Sequence, residues 1–385
     1  MKTSRFTIYL LFAVLSVNGF VACDKNEMDP FTEKENALAP IIPQYVNHTV
    51  IATYRSLADA TIDLYQSIDN LKKEKTAAHL NTATQSWIKT RAHWELSEAF
   101  LFGAVADFGI DPHIDTWPLD EVTFVQTINN SDFIESMDAD DGDVWAADHL
   151  GFALLGFHGI EYILFRDGAP KEVDNITDGE LIYAHAVAGD LRNQCVRLEA
   201  SWAGIDAITA EKKQLIEDLE LAITPSNSPI SYGENMLLAG EPGSTYRTVA
   251  NAVAAIISGC IDISDEVGDV KIGTAYNKDD VNYIESPYSY NSKVDFTDNI
   301  KSIENAYLGG ADASKRGASI SDYIKSVDAE LDASVRSAIT NAIAKINAIP
   351  YPFAKNYASA EAGTALNTCQ DLTETLEKVK SAIEE

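Results

Sequence analysis

Apolar residues recur at intervals of three and four along most of the chain, the spacing that gathers them on one face of a helix. The pattern predicts helices near 37–72, 77–104, 143–166, 178–203, 209–222, 244–266, 297–308, 319–347 and 357–384. These stretches are rich in Ala, Leu, Ile, Lys and Glu, and Gly or Pro clusters such as "DDGD", "DGAPKE", "TPSNSPISYG" and "AGEPGS" separate several of them. No convincing run of alternating strands is present. The expected fold is all-α, built from helical bundles.

A weak internal repeat accompanies the pattern. "FHGIEYILF" at 157–165 aligns with "IKSIENAYL" at 300–308, matching Ile160 to Ile303 and Glu161 to Glu304. Lys301 stands where the first copy has His158, so a duplicated bundle would carry a histidine site in one copy alone. All seven histidines, His48, His79, His93, His113, His149, His158 and His185, fall before residue 186. Imidazole chemistry belongs to the first half of the chain.

The first 22 residues stand apart from the helical rhythm: "MKTSRF" gives a positive start, "FTIYLLFAVLSVNGF" a short apolar core, and "VAC" a small residue before Cys23. Ser16, Asn18 and Gly19 interrupt a core already short for a membrane span. The run resembles a bacterial lipoprotein signal, with Phe20 where Leu is usual, and the resemblance implies that Cys23 is lipidated and becomes the mature N-terminus. "CDKNEMDPFTEKEN", 23–36, then reads as a polar tether. The expectation is an exported protein held on the lipid bilayer of the cell envelope, at the outer membrane, by its acyl chain.

Length and composition add bounds. At 385 residues the chain has room for two domains or one large one, and 46% apolar with 23% charged residues is ordinary for a globular protein. The formal charge of -30 argues against nucleic acid as a partner and suits cations. Loss of the first 22 residues, with Lys2 and Arg5, takes it to -32. Beyond Cys23 the cysteines are Cys195, Cys260 and Cys369, an odd number in helical contexts without a C-x-x-C pair, which reads as buried inert thiols.

The stretch "GFHGIEYILF", 156–165, carries the candidate chemistry. Three residues apart on a helix, His158 and Glu161 share a face and can converge on one target. An imidazole with a carboxylate suits iron, zinc or a similar metal; a structural hydrogen bond is the alternative. Gly156 and Gly159 cost up to about 1 kcal/mol each in a helix interior, and their missing side chains permit close approach by another helix or leave free space beside the imidazole. "RAHWELSEAFLFG", 91–103, places Arg91, Trp94 and Glu98 on one stripe with Glu95 beside it, and could bring a carboxylate to His158 across a bundle. "GIDPHIDTWPLD", 109–120, could supply Asp115 or His113 from a proline-bounded loop. Standard hydrolase patterns are absent, and a single H-x-x-E falls short of the two E-x-x-H motifs of a di-iron bundle, so one ion is the most this reading supports.

Together these motifs resemble the imelysin-like family. The match rests on G-x-H-x-x-E (Gly156, His158, Glu161), "W-x-x-x-E-A-F-L-F-G" (Trp94, Glu98, Gly103), "I-D-T-W-P" (Ile114 to Pro118), "N-I-K-S-I-E-N-A-Y-L-G" (Asn299 to Gly309) and "I-P-Y-P-F" (Ile349 to Phe353), covering the chain from about residue 37 onward. The resemblance implies two related helical-bundle domains, here 37–206 and 207–385, with a cleft between them and the histidine motif near their interface. Its members include an insulin-cleaving membrane protease, iron-regulated proteins and parts of ferrous-iron uptake lipoproteins. The leading expectation is a metal-binding lipoprotein of iron acquisition, with transporter components as partners. His158, Glu161 and Glu98 would be ligands to iron or, alternatively, zinc, with Glu95, Asp115 and Arg91 as further ligands or orienters. A metallopeptidase is the rival, and a peptide- or haem-like ligand held beside a structural His-Glu pair the third reading.

Overall fold

The computed structural model describes residues 29–385. The expected signal peptide, Cys23 and the start of the tether lie outside that range. The tether expected through residue 36 ends earlier. Asp29 caps a helix over Pro30–Leu38, and Glu35 in that helix accepts the backbone N–H groups of Val249 and Ala250 at 2.6 and 3.1 Å.

The elements that frame the molecule are α1 (Ile51–Lys73), α2 (Ala77–Glu95), α3 (Ile110–Ile114), α4 (Gly156–Leu164), α5 (Asp178–Ala203), α6 (Val249–Asp265), α7 (Ser292–Tyr307), α8 (Ala329–Ala348) and α9 (Ala360–Glu384). The ends of α5 show how sequence sets them. Thr177 and Glu180 form a reciprocal capping box at its start, and Gly204 at φ 87° ends it. The only strands among the described residues, β1 (Phe165–Arg166) and β2 (Ala169–Pro170), make a two-residue antiparallel pair through a turn at Asp167 and Gly168.

In the first half α5 packs on α1, α1 on α2, and α4 against α5 and α2. In the second, α6 packs on α9, α9 on α8, and α7 on both α8 and α6. The halves meet where α7 lies on α2 and where the single-turn helix Glu98–Phe100 rests on α6 and α7. One apolar core runs through all of this from Leu38 to Ile383. Each fully buried Leu, Ile or Phe in it is worth about 1.5–3 kcal/mol. The helix just past residue 207, Ala210–Asp218, packs on α5, its Ile216 joining Ala58, Val196 and Ala200 in a small second cluster. No helix among the described residues is long and apolar enough to cross a membrane.

Several expected helices are shorter than the apolar rhythm suggests. The stretch 143–166 divides into Gly142–His149, a single turn at Phe152–Leu154 and α4, because Gly151 and Leu155 are extended. The stretch 319–347 breaks at Asp328, whose side chain caps α8 through the N–H groups of Glu330 and Leu331. The internal repeat diverges in burial: Glu161 is fully buried, whereas Glu304 sits near the surface, 3.4 Å from Arg316. Cys195, Cys260 and Cys369 are free and buried, as expected.

Candidate metal centre

The centre is assembled from six segments. Helix α2 ends in it, bringing Arg91, Trp94 and Glu95 inward, all fully buried. Asp115 follows the last turn of α3 and accepts Trp94 Nε1–H at 2.7 Å and an Arg91 guanidinium hydrogen bond. Helix α4 contributes His158 and Glu161. A π-helical stretch after α6, Glu266–Ile272, contributes Lys271. The connection before α7 contributes Glu285, and α7 itself Asp295.

The glycines of the motif are explained by packing. Gly156 has φ +68°, and a Cβ there would sit 1.7 Å from the carbonyl oxygen of Ile114, the residue before Asp115. A Cβ at Gly159 would come within 2.7 Å of Tyr183 Oη. Both therefore allow α4 to press its backbone against its neighbours.

Glu161 holds the imidazole rather than standing beside it as an equal donor. Its Oε1 accepts the backbone N–H of Tyr288 and of Ser289 and the Ser289 hydroxyl, at 3.0, 2.8 and 2.7 Å. Its Oε2 lies 3.0 Å from His158 Nδ1. The other ring nitrogen, Nε2, is buried and has no hydrogen-bond partner, with Asp115 Oδ1 at 3.2 Å in an ion-pair contact that lacks hydrogen-bond alignment. Ligand atoms of His158, Asp115 and Glu285 all lie within 4.8 Å of one another, and Glu285 Oε2 is likewise buried without a partner.

Arg91 ties the carboxylates together. Its Nη2 is 2.5 Å from Glu95 and 2.6 Å from Glu285, its Nε is 3.8 Å from Asp295, and Phe157 lies under the guanidinium at 5.0 Å. Burial opposes the Arg91 charge, yet Asp115, Glu95, Asp295 and Glu285 outweigh it and hold the proton more tightly than usual. Burial would push Asp115 up, but Arg91 and His158 draw it well below the ordinary carboxylate range. Burial works against a charged His158; its contacts with Asp115 and Glu161 prevail and raise it to about 9. Glu95 and Glu98 are driven upward by burial despite Arg91 and Lys271.

Of the sequence candidates, His158, Glu161, Asp115, Arg91 and Glu95 therefore converge. Glu98 does not reach His158: α2 stops at Glu95, and the following turn carries Glu98 to the Lys271 side, 3.9 Å from its ammonium. His113 turns away to Asp190 at 2.8 Å, and His149 stacks on Trp145. Asn299 of the "NIKSIEN" motif donates to Glu95 Oε2 at 2.5 Å, which explains its place beside the centre. Lys271, Glu285 and Asp295 carry no local signal that marks them in advance. The surface cleft between the halves, lined by His48, Arg55, His93, Asn305 and Lys315, is a separate feature.

A buried imidazole nitrogen without an aligned hydrogen bond, beside the carboxylates of Asp115 and Glu285, fits a hard or borderline cation. Comparison with known proteins agrees with the motifs. Residues 50–379 match the profile of the peptidase family described as Imelysin. Iron-regulated protein A of Synechococcus elongatus is 26% identical over 343 residues, 88% of this chain and 84% of that protein. A crystal structure from Parabacteroides distasonis, described as an iron-regulated protein A precursor, aligns with TM-score 0.76 at 29% identity, covering 90% of this chain and 95% of that one. An imelysin-like protein from Psychrobacter arcticum shares the fold, with TM-score 0.58 at 14% identity over 91% and 93% of the two chains.

Proposed function

The chain belongs to the imelysin family, and on that premise we propose that it is a lipid-anchored protein of the cell envelope that binds iron for uptake. One observation carries the reading: His158 Nε2 is buried without an aligned hydrogen bond and faces Asp115 Oδ1 at 3.2 Å, with Glu285 also within coordinating reach. Those three residues would hold the ion, Glu161 would fix the imidazole, and Arg91 would clamp Asp115 and Glu285. A bound cation would supply positive charge to a pocket crowded with carboxylates.

A donor set of one imidazole and several carboxylates, without thiolate, favours iron over softer metals and leaves zinc as the alternative. The name iron-regulated protein A, carried by relatives at 26% and 29% identity, supports the same choice. The "VAC" sequence at Cys23 supports anchorage at the outer membrane, where components of an uptake transporter would be the partners.

Peptide hydrolysis is the weaker reading. It needs a scissile carbonyl beside the ion and an open coordination position. His158, Asp115 and Glu285 are 1%, 7% and 0% exposed, so an extended peptide cannot reach them in this conformation. A purely structural clamp predicts that His158→Ala lowers stability equally with and without metal.

Elemental analysis of protein purified without added metal, followed by titration with ferrous ion, tests the proposal. The expected result is at least one equivalent of iron per chain and loss of the ion at this set in His158→Ala. Metal content that is the same in the two proteins overturns it.

A further inference from the structure

Glu98 is the buried carboxylate of the centre that accepts no hydrogen bond from any described residue. It is 6% exposed, and its nearest cation is Lys271 Nζ at 3.9 Å. A carboxylate that loses most of its water without gaining a donor is costly. Lys271 does little to relieve it. Three donors are available on the ammonium, yet its one contact at hydrogen-bond distance is Glu285 at 3.0 Å, while Glu95 lies at 3.7 Å.

Ligand atoms of Glu95, Glu98 and Asp115 lie within 4.8 Å of one another, so Asp115 belongs both to this group and to the group of His158 and Glu285. The formal charge of the neighbourhood is lopsided. Six acid side chains, Glu95, Glu98, Asp115, Glu161, Glu285 and Asp295, are buried against two permanent cations, Arg91 and Lys271, with the His158 imidazole beside them. Each divalent ion would offset two of these acid groups in a low-dielectric interior, so the set has acid groups to spare for a second ion.

We propose that the centre takes two hard divalent cations, one at His158, Asp115 and Glu285 and a second at Glu95, Glu98 and Asp115, with Asp115 shared between them. This rests on the metal-binding reading of the His158 set. Lys271 stands in for the second ion until it arrives, and its unbranched stem lets the ammonium withdraw. The stem is mounted on the π-helical stretch Glu266–Ile272, a geometry frequent at functional sites.

Manganous ion is the probe. Wild-type protein should take up two equivalents by elemental analysis after desalting and show an exchange-coupled electron paramagnetic resonance spectrum. Glu98→Gln, close in shape to the native side chain, should retain one equivalent with the six-line spectrum of an isolated ion, the second site weakened about 100-fold. One equivalent in both proteins overturns the second site and leaves the first intact. Two equivalents that stay uncoupled and ignore Glu98→Gln place the extra ion elsewhere and also overturn it. No uptake at all overturns the reading on which it rests. Should Glu98→Gln fail to fold, the wild-type spectrum decides alone, an uncoupled one counting against the pair.

Discussion

The Nδ1 atom of His158 lies 3.0 Å from Glu161 Oε2, and this contact settles which ring nitrogen is available. A carboxylate can only accept, so Nδ1 keeps its proton and Nε2 is the atom for which a proton and the proposed metal ion would compete. The rest of Glu161 is committed: Oε1 is held by the backbone of Tyr288 and Ser289, which ties the first-half motif to the segment leading into α7.

Glu161→Gln therefore has a directional consequence. The two backbone N–H groups keep the amide oxygen at the Oε1 position, so the amide nitrogen must face Nδ1 and donate to it. The imidazole is pushed to the tautomer with its proton on Nε2, which removes the ligand lone pair. Metal affinity should fall 10–100-fold, the usual effect of losing an orienting partner, with helix content unchanged. Calorimetric titration checks this; an affinity equal to wild type would show that Glu161 does not orient the ring.

The pH dependence follows from the same ring. His158 in the folded protein is raised to about 9, above the ordinary histidine value of 6.5. Its contribution to stability is complete below 6.5 and is lost as pH rises from there through 9, on the order of 3 kcal/mol in all. Metal binding runs the other way, because the ion must displace the Nε2 proton, so affinity should climb about tenfold per pH unit over the same window. Urea midpoints of metal-free wild type and His158→Gln should converge between pH 6.5 and 9. Parallel curves would contradict the assignment.

Arg91 is the fully buried counter-charge to three carboxylates of the centre, Glu95, Asp115 and Glu285. Arg91→Met leaves those charges unpaired and should cost about 3–5 kcal/mol. Added divalent metal should recover more stability in this variant than in wild type, because it replaces a charge that wild type already has. Chemical denaturation with and without metal measures both quantities, and a loss below about 1 kcal/mol would contradict the role.

The legibility of these features differs residue by residue. Helix α5 was plain in the sequence because Thr177, Glu180 and Gly204 mark its ends with local chemistry. The break before α4 is hidden, since Leu150, Leu154 and Leu155 continue the apolar rhythm through backbone that is not α-helical and only Gly151 and Gly156 hint at it. Asp115 was visible as an acid in a proline-bounded loop, and the motif pair His158 and Glu161 by its spacing. Glu98 meets His158 only if α2 continues past Glu95, and the turn at Glu98–Phe100 carries it to Lys271 instead. Lys271 and Glu285 lie more than a hundred residues from His158 in the chain, and tertiary packing alone brings them together.

Gly156 offers the sharpest test that α4 and the Asp115 loop act as one unit. A non-glycine residue at φ +68° is strained by roughly 1–3 kcal/mol before any contact is counted. The added Cβ would also fall 1.7 Å from the Ile114 carbonyl oxygen, so α4 and the end of α3 must separate. Because His158 lies two residues after Gly156 and Asp115 one residue after Ile114, that separation opens the distance between two proposed ligands. Gly156→Ala should thus lose about 3 kcal/mol of stability or more and bind metal at least tenfold more weakly. Gly159→Ala is the control, since its Cβ would press on Tyr183 of α5 and leave the Ile114 contact alone. It should lower stability with a smaller loss of affinity, and equal losses of affinity in the two variants, measured by titration at matched folded fraction, would refute the coupling of α4 to Asp115.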